Sequence, residues 1–485
     1  MLFSSLKFFI FFPIVTTLYF LSPPKYRCAL LLFASCIFYM AFIPAYILIL
    51  FGLITIDYFM GICIETSPAN RKKYYLIVSI LSTCLALFIF KYFNFFSGSC
   101  QSIAHFIGWN MPLVYLQLIL PLGLSFHTFQ SLAYIIEVYR GKQKAEKNYW
   151  IYSLYVMFYP QLVAGPIERP YNLIHQFYET HHFDYQRVTD GLKLMAWGLF
   201  KKVVIADRLA PKVNEIYGDP RNFHGPALAL ATVYFAIQIY CDFSGYTDMA
   251  IGAAQVMGFK LMTNFNRPYF ARSIAEFWHR WHISLSTWFR DYLYISLGGN
   301  RCSKLRWYFN LFITFLVSGL WHGANWTFVI WGALNGFYYI FAVWTNDLRS
   351  AIREKLGITK HIKILEIWQI LITFSLICFA WIFFRAQNLH DALIILSQLP
   401  HGWGHLNLHE DTFISAFGVK RSFFLYSLSL IGFLVIVHIL QGYGSIRQIV
   451  ATQPVWVRWS LYYLIMLAIF LGGNFGENPF IYFQF

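Results

Sequence analysis

The chain has 485 residues, of which 58% are hydrophobic and 12% are charged, and its mean hydropathy is +0.52. Soluble domains carry roughly 25% charged residues, so this composition excludes an ordinary soluble protein and indicates a polytopic membrane protein. The net charge is +15, but the lysines and arginines collect in short loops between apolar runs, where membrane topology explains them without any nucleic-acid role.

Five apolar segments of membrane-spanning character open the chain. Their first loop carries Lys25 and Arg27, the third is basic around Arg71, and the fifth is basic from Arg140 to Lys147, whereas the second and fourth loops carry no Lys or Arg. By the positive-inside rule, this alternation predicts an N-terminus outside the cell and basic loops in the cytoplasm. The predicted segments are Phe8–Leu21, Cys28–Phe42, Ala45–Ile64, Tyr75–Phe95 and Leu113–Val138.

The middle of the chain departs from simple spanning helices. FYPQLVAGPIERP, at residues 158–170, contains three prolines, which predicts a re-entrant or interfacial segment. Gly191–Ala210 is apolar but carries four basic residues, which predicts a helix partly in the membrane interface. Ala227–Met257 is a membrane run interrupted by CDFSGYTD, and we expect its Asp242 and Asp248 to avoid lipid because a carboxylate there is costly.

The C-terminal part holds further apolar runs and one long polar loop. The loop, Arg385–Lys420, is either an outer contact surface or a solvated connection. With no internal repeat or linker, the sequence predicts a single domain over residues 1–485, and its eight cysteines form no CxxC pair that would indicate a metal site. The runs are Trp307–Leu320, Trp326–Trp344, Leu365–Phe384, Phe423–Leu440 and Val457–Leu471, and the loop histidines are His390, His401, His405 and His409.

A histidine beside membrane-length apolar sequence is costly unless it lines a cavity or does chemistry. His322 lies in SGLWHGAN, at residues 318–325, where two glycines permit close helix approach and Trp321 and Trp326 can wall a site. Two interpretations stay open at this point. The imidazole is either a structural group bonded to a neighbouring helix or a catalytic group, since histidine titrates near neutrality and suits proton transfer.

A second histidine, His282, lies in WHRWHISLSTWFRDY. On a continuous helix it would share a face with His279, but a His-x-x-His pair without a nearby cysteine or carboxylate is a weak metal signature. The segment is too polar for lipid, so it lines a cavity or sits at the interface. Arg290 and Asp291 form either a plain ion pair or part of an anion-binding site.

Several familiar catalytic signatures are absent from the sequence. It contains no GxxxxGK[ST] phosphate loop, no GxGxxG after a strand and no GxSxG elbow, so ATP-driven transport, dinucleotide redox chemistry and α/β-hydrolase chemistry lose support. Two histidines beside apolar, aromatic sequence match general-base activation of a hydroxyl for acyl transfer.

These residues resemble the membrane-bound O-acyltransferase family, and within it the bacterial alginate O-acetyltransferase-like branch, over nearly the whole chain. The motifs that carry the resemblance are FYPQLVAGPIERP (158–170), QIYCDFSGYTDMAIG (238–252), FNRPYFARSIAEFWHRWHISLSTWFRDYLYISLGGNR (265–301), SGLWHGANWTFVIWG (318–332), FAWIFFRA (379–386) and FIYFQF (480–485).

The resemblance implies an all-α polytopic bundle of about eleven or more membrane helices, with re-entrant or interfacial helices, around a central tunnel. In the family the tunnel narrows near a signature histidine that matches His322, and a second family histidine matches His282, so both are implied to be catalytic. The further candidates for lining the tunnel or binding substrate are Trp278, His279, Trp281, Ser284, Arg290, Asp291, Trp321, Asn325, Trp326 and Asp242.

The same resemblance implies a place in the bacterial inner membrane and an acetyl transfer across it. Acetyl-CoA is the expected donor, entering from the cytoplasm, with no metal involved. The expected acceptor is the hydroxyl of an extracytoplasmic polysaccharide such as alginate, peptidoglycan or another exopolysaccharide. In many relatives an extracytoplasmic partner resembling SGNH hydrolases completes the transfer.

Two other functions stay open. Relatives that move D-alanyl groups towards teichoic acid share WHISLS, which lies here at residues 281–286. The motifs LGGNR and SGLWHGANWTFVIWG favour the acetyl branch. A transporter or flippase without chemistry would also show broken helices and buried polar residues, but the chain has no internal repeat to support it.

Overall fold

A computed structural model describes residues 1–121, 123–162, 165–355, 357, 361–405, 410–476 and 480–483, and every regular element in these ranges is helical. The N-terminal half contains α1 (Leu6–Leu21), α2 (Pro24–Met40), α3 (Tyr46–Thr66), α4 (Ala69–Leu87), α5 (Phe93–Phe106), α6 (Leu124–Tyr139), α7 (Tyr149–Met157), α8 (Tyr159–Leu162), α9 (Pro170–Leu173), α10 (Tyr185–Phe200), α11 (Asp207–Gly218) and α12 (Gly225–Met257).

The C-terminal half contains α13 (Ile274–Arg280), α14 (Ile283–Trp288), α15 (Lys304–His322), α16 (Trp326–Trp344), α17 (Asn346–Lys355), α18 (Ile362–Arg385), α19 (Leu389–Gln398), α20 (Glu410–Phe417), α21 (Arg421–Leu440), α22 (Ile446–Ala451) and α23 (Val455–Gly472). Three π-helical segments, Phe88–Tyr92, Lys201–Ala206 and Phe289–Tyr294, interrupt or extend these helices. The polar loop predicted over Arg385–Lys420 therefore contains α19 and α20, and its His409 lies outside the described residues.

Seven helices in the described ranges are long and apolar enough to cross a membrane, which confirms the all-α polytopic class. They are α3, the continuous helix from α4 through α5, α12, α16, α18, α21 and α23. The apolar α1 has 16 residues and falls short of that length. The larger count of about eleven spans stays a prediction.

Two of the predicted N-terminal segments are wrong in their boundaries. The fourth runs from Ala69 to Phe106, 38 residues, because the helix also includes the polar residues before Tyr75 and after Phe95, which apolar length does not count. The π-helical segment Phe88–Tyr92 lies inside it. The fifth begins at Leu124 and not at Leu113: residues 109–121 are irregular, since Pro121 and Gly123 (φ 73°) stop the helix from extending further back. The Asn94 side chain holds this irregular stretch through both backbone groups of Leu116.

The 33-residue helix α12 is the central element of the core. It packs along α10 at glycine pairs, and a Cβ on Gly198 would lie 2.5 Å from the carbonyl oxygen of Gly245, so only glycine allows this approach. CDFSGYTD does not interrupt α12, because the polar side chains of that sequence face partner helices inside the protein.

Buried charges link α12 to the turn after α10. The Nζ of Lys202 lies 2.8 Å from a carboxylate oxygen of Asp242 and 2.9 Å from one of Asp207, and the Nζ of Lys201 lies 2.8 Å from Asp248. Both lysines are buried and face acids inside the protein, while the placement of Gly191–Ala210 partly in the membrane interface stays a prediction. Neither Asp242 nor Asp248 faces lipid, as predicted.

The described residues of the proline-rich stretch, 158–162 and 165–170, form no straight helix, as predicted. It contains the four-residue helix α8 and leads into α9, and Glu168 and Arg169 are buried there. The backbone N–H of Ile167 donates a hydrogen bond to Ser284 Oγ at 3.0 Å, and Arg169 lies 3.8 Å from Asp291. This stretch therefore supports α14 and the residues around it.

Candidate active site

His322 is the last residue of α15 and is buried, with 4% of its surface exposed. The chain turns sharply at Gly323, where an added Cβ would meet the ring of Phe328 at 2.2 Å. Asn325 begins α16 by accepting a hydrogen bond from the N–H of Thr327 at 3.0 Å. The sequence SGLWHGAN thus ends one helix and begins the next, and the imidazole lies at the break.

His282 also lies at a break between helices. The helix α13 ends at Arg280, His282 has a left-handed backbone (φ 43°), and α14 begins at Ile283. His279 is on α13 and exposed, whereas His282 is buried. The prediction that the two share one helical face is therefore wrong, because the chain changes direction between them.

Asn264, which the sequence did not single out, orients His282. Its Oδ1 lies 3.1 Å from His282 Nδ1, and it accepts hydrogen bonds from the backbone N–H of Ser284 at 3.1 Å and from Ser284 Oγ at 2.9 Å. An oxygen acceptor requires the proton to be on Nδ1, so Nε2 carries a lone pair. Nε2 is buried and has no hydrogen-bond partner in the described part of the chain, which leaves it available as a base.

Aromatic rings enclose both imidazoles. The His322 ring centroid lies 4.9 Å from Trp321, 5.0 Å from Trp331, 5.4 Å from Phe384 and 5.6 Å from Tyr482. The His282 ring contacts Phe243 at 4.6 Å, Tyr482 at 6.3 Å and Phe126 at 6.4 Å. Phe126 in turn packs on Trp321 at 5.8 Å, so the rings close around a single site.

Tyr482 lies against both histidines, although it is 160 residues or more from them in sequence. Its hydroxyl is buried and, like Nδ1 of His322 and Nε2 of His282, finds no hydrogen-bond partner within the described ranges. Buried polar atoms are normally paired. Three such atoms on neighbouring rings indicate a site built to receive polar groups of a substrate.

A buried carboxylate holds Tyr482 in place. Asp242 Oδ2 accepts a hydrogen bond from the backbone N–H of Ile481 at 2.8 Å, while Asp242 Oδ1 lies against Lys202. The Phe480 ring packs on Tyr246 at 4.7 Å and the Tyr482 ring on Phe243 at 4.6 Å. Asp242, expected to bind substrate or line the tunnel, contacts the C-terminal segment instead.

The remaining predicted residues divide between the wall of the site and its surroundings. Trp321 is in the wall, and Ser284 is beside Asn264. Trp278 and Trp281 form the layer behind, with Trp278 against Trp331 at 5.6 Å and Trp281 against Trp381 at 5.3 Å.

The others lie apart from the two imidazoles. Trp326 is 53% exposed and packs on Phe95, so Trp331 takes the walling role predicted for it. Arg290 and Asp291 form an ion pair at 2.8 Å, the plainer of the two predicted interpretations. Within the described ranges, no three His, Cys, Asp or Glu side chains gather into a metal-binding group.

Comparison with known proteins places this site in a family. The sequence model of the membrane-bound O-acyltransferase family matches residues 147–386, which include both histidines. The chain is 39% identical over 452 residues to the probable alginate O-acetylase of Pseudomonas aeruginosa, covering 92% of this chain and 82% of the relative.

Two less similar relatives are named for other polymers, peptidoglycan and teichoic acid. The peptidoglycan O-acetyltransferase of Helicobacter pylori is 37% identical, over 76% of this chain and 73% of its own length. The teichoic acid D-alanyltransferase of Bacillus subtilis is 28% identical, over 56% of this chain and 69% of its own length. These similarities show that the chain is an O-acyltransferase belonging to the membrane-bound O-acyltransferase family, in its alginate O-acetyltransferase-like branch.

Proposed function

We propose that this enzyme moves an acetyl group to a hydroxyl of an extracytoplasmic polysaccharide, with His322 and His282 as its catalytic residues. The observation that carries the proposal is the pair of buried imidazoles beside one aromatic-walled space, each with a nitrogen that has no hydrogen-bond partner among the described residues. A general base in acyl transfer must be oriented and within reach of the hydroxyl proton.

His282 is the better oriented of the two bases. Asn264 holds its proton on Nδ1, so Nε2 accepts a proton from a hydroxyl in the site. His322, at the end of α15, is the second base or the group that carries the acetyl. The Tyr482 ring lies against both imidazoles, and its buried hydroxyl is a third polar group of the site.

The donor we propose is acetyl-CoA, entering from the cytoplasm through a tunnel between the helices. The rings of Trp321, Trp331, Phe384 and Tyr482 crowd the imidazole of His322, which favours a short acyl chain over a long one. The basic loops predicted to be cytoplasmic suit the phosphates of CoA. Turnover of long-chain donors without turnover of acetyl donors would contradict this choice.

The acceptor side follows from the relatives. The two acetyltransferases described above are named for alginate and peptidoglycan, so we propose an extracytoplasmic polysaccharide and a partner resembling SGNH hydrolases that completes the transfer. The protein then lies in the bacterial inner membrane with its N-terminus outside. The region of α19 and α20 is our candidate for the outer contact with partner or glycan.

D-Alanyl transfer to teichoic acid is the second candidate, because the Bacillus subtilis relative shares the fold family at 28% identity. The acetyltransferase relatives are more similar, at 37% and 39%, and we favour acetyl transfer for that reason. Transport without chemistry, which the sequence left open, is not favoured because the family consists of acyltransferases.

The proposal is tested in cells that make the polysaccharide, with the chain replaced by His322→Ala, His282→Ala or His279→Ala. The exposed His279 is a matched control. We expect ester-linked acetate in the glycan to disappear with the first two variants and to persist with the third, at equal protein levels in the membrane. Acetate that remains in the glycan with His322→Ala would contradict the proposal. So would the finding that the group esterified to the polymer is D-alanine and not acetate.

A further inference from the structure

Lys91 is a charged residue in the middle of a membrane-length helix. It lies in the π-helical segment Phe88–Tyr92, inside the 38-residue span from Ala69 to Phe106. Its Nζ donates hydrogen bonds to the carbonyl oxygen of Trp321 at 2.8 Å and to that of His322 at 3.0 Å, and it lies 5.8 Å from the Trp321 ring centroid. A residue 231 positions away in sequence thus meets the backbone of the catalytic histidine.

The Lys91 ammonium has no acidic partner among the residues that the structure describes. None of the carboxylates in the described ranges forms an ion pair with it, and its only charge-compensating contacts are the two carbonyls and the indole ring. A cation inside a membrane protein is expensive and marks function by default. Two carbonyls at a helix end can be satisfied by neutral donors, so closing the end of α15 does not by itself require a positive charge.

An ammonium has three N–H groups, and the two carbonyls use two of them. We propose that Lys91 forms an anion-binding subsite beside His322, and that its third N–H and its charge hold the acyl carbonyl oxygen as that oxygen becomes negative during transfer. This assignment rests on the acyl transfer proposed above and names a further residue for it. π-Helical turns of this kind occur frequently at functional sites.

The step is a conventional acyl substitution. The acceptor hydroxyl oxygen bonds to the carbonyl carbon of the donor while a histidine takes the hydroxyl proton, and the C=O electron pair moves to the carbonyl oxygen, which faces Lys91. Collapse re-forms C=O and breaks the bond to the donor sulfur, and the thiolate takes the proton back from the histidine. Lys91 keeps its own proton throughout, so its contribution is electrostatic and greatest in the transition state.

The test uses the purified protein in nanodiscs with acetyl-CoA as donor and with its extracytoplasmic partner and acceptor polysaccharide, and compares Lys91→Gln with Lys91→Arg. Glutamine keeps neutral donors for the two carbonyls and removes the charge, whereas arginine keeps the charge. We expect Lys91→Gln to lower kcat about 100-fold or more with little change in KM for the donor, and Lys91→Arg to recover a substantial part of the loss.

Arg349→Gln is the matched control, because Arg349 also donates to a helix-end carbonyl, that of Ala342, away from the histidines. We expect it to leave kcat unchanged. Equal activity of Lys91→Gln and wild type, or losses in kcat that match losses in thermal stability for both glutamine variants, would overturn the assignment while leaving acyl transfer intact. An inactive wild type with its partner and acceptor present would instead contradict the proposed function, and this assignment with it.

Discussion

One side chain, Asn264, decides which nitrogen of His282 carries the proton. Its Oδ1 receives three contacts, from the His282 ring and from two groups of Ser284. Because an amide oxygen only accepts hydrogen bonds, the neutral imidazole must donate from Nδ1 and keep Nε2 as the acceptor. The arrangement selects the tautomer that a general base needs.

We therefore expect Asn264→Ala to lower kcat for acetyl transfer by about 10- to 100-fold, the range seen when residues that orient a functional histidine are removed. The imidazole would then lose its fixed tautomer and orientation, while its buried position would remain. The measurement is steady-state turnover of acetyl-CoA by the purified protein in nanodiscs.

Asn310→Ala provides the control for that substitution. Asn310 is equally buried and donates to the carbonyl oxygen of Gly299 at 3.0 Å, near the start of α15, far along the helix from His322. A comparable loss of turnover in both variants would mean that Asn264 acts through general stability and would contradict the orienting role.

At the scale of elements, the segment after α23 is attached to the core at several points before it reaches the site. The Arg208 side chain donates to the carbonyl oxygen of Gly472 at 2.8 Å, and the N–H of Asn474 donates to that of Val203 at 2.9 Å. The N–H of Ile481 then donates to Asp242. The second of these contacts uses the turn Lys201–Ala206, whose lysines pair with Asp242 and Asp248 of α12.

The substitution Ile481→Pro tests whether this attachment positions Tyr482, because proline has no N–H to donate to Asp242. A hydrogen bond to a charged group contributes about 1.5–3 kcal/mol, so losing it corresponds to a tenfold or larger shift towards an undocked segment. We expect turnover to fall by about tenfold or more while the melting temperature changes little.

Ile481→Ala keeps the N–H and removes most of the side chain, which makes it the matched control. It should retain more activity than Ile481→Pro. If alanine were as damaging as proline, packing of the isoleucine would be the cause, and the hydrogen bond to Asp242 would carry no positioning role.

The elements that could be predicted from the sequence were those with a local signal. Apolar length predicted most of the spanning helices, and the prolines of residues 158–170 predicted a broken segment. The buried ion pairs of Gly191–Ala210 were missed, because a lysine on an apolar helix gives no sign of whether it faces lipid headgroups or, as Lys202 does, two carboxylates inside the protein.

Across the whole molecule, the site residues that were predicted lie in local motifs, whereas those that were missed come from distant parts of the chain. SGLWHGAN pointed to His322 and Trp321 because they are adjacent. Asn264, Lys91 and Tyr482 reach the site from other elements, and Lys91 alone is 231 residues from His322. Such contacts depend on how distant helices pack against each other, which local patterns in a single sequence do not predict.

The prediction that His279 and His282 share a face failed for a backbone reason. A left-handed residue, His282 at φ 43°, separates α13 from α14, and non-glycine residues adopt this conformation uncommonly. The strain is located at a proposed catalytic residue, where unusual backbone conformations are often found.

Whether His322 and His282 carry out acetyl transfer is tested most directly with radiolabelled acetyl-CoA. The purified protein in nanodiscs is supplied with its extracytoplasmic partner and acceptor polysaccharide. We predict labelled acetyl transfer by the wild type and by His279→Ala, and none above background by His322→Ala or His282→Ala, with all four proteins folded. Transfer at the wild-type rate by His322→Ala would contradict the central claim that the buried histidine pair carries out the chemistry.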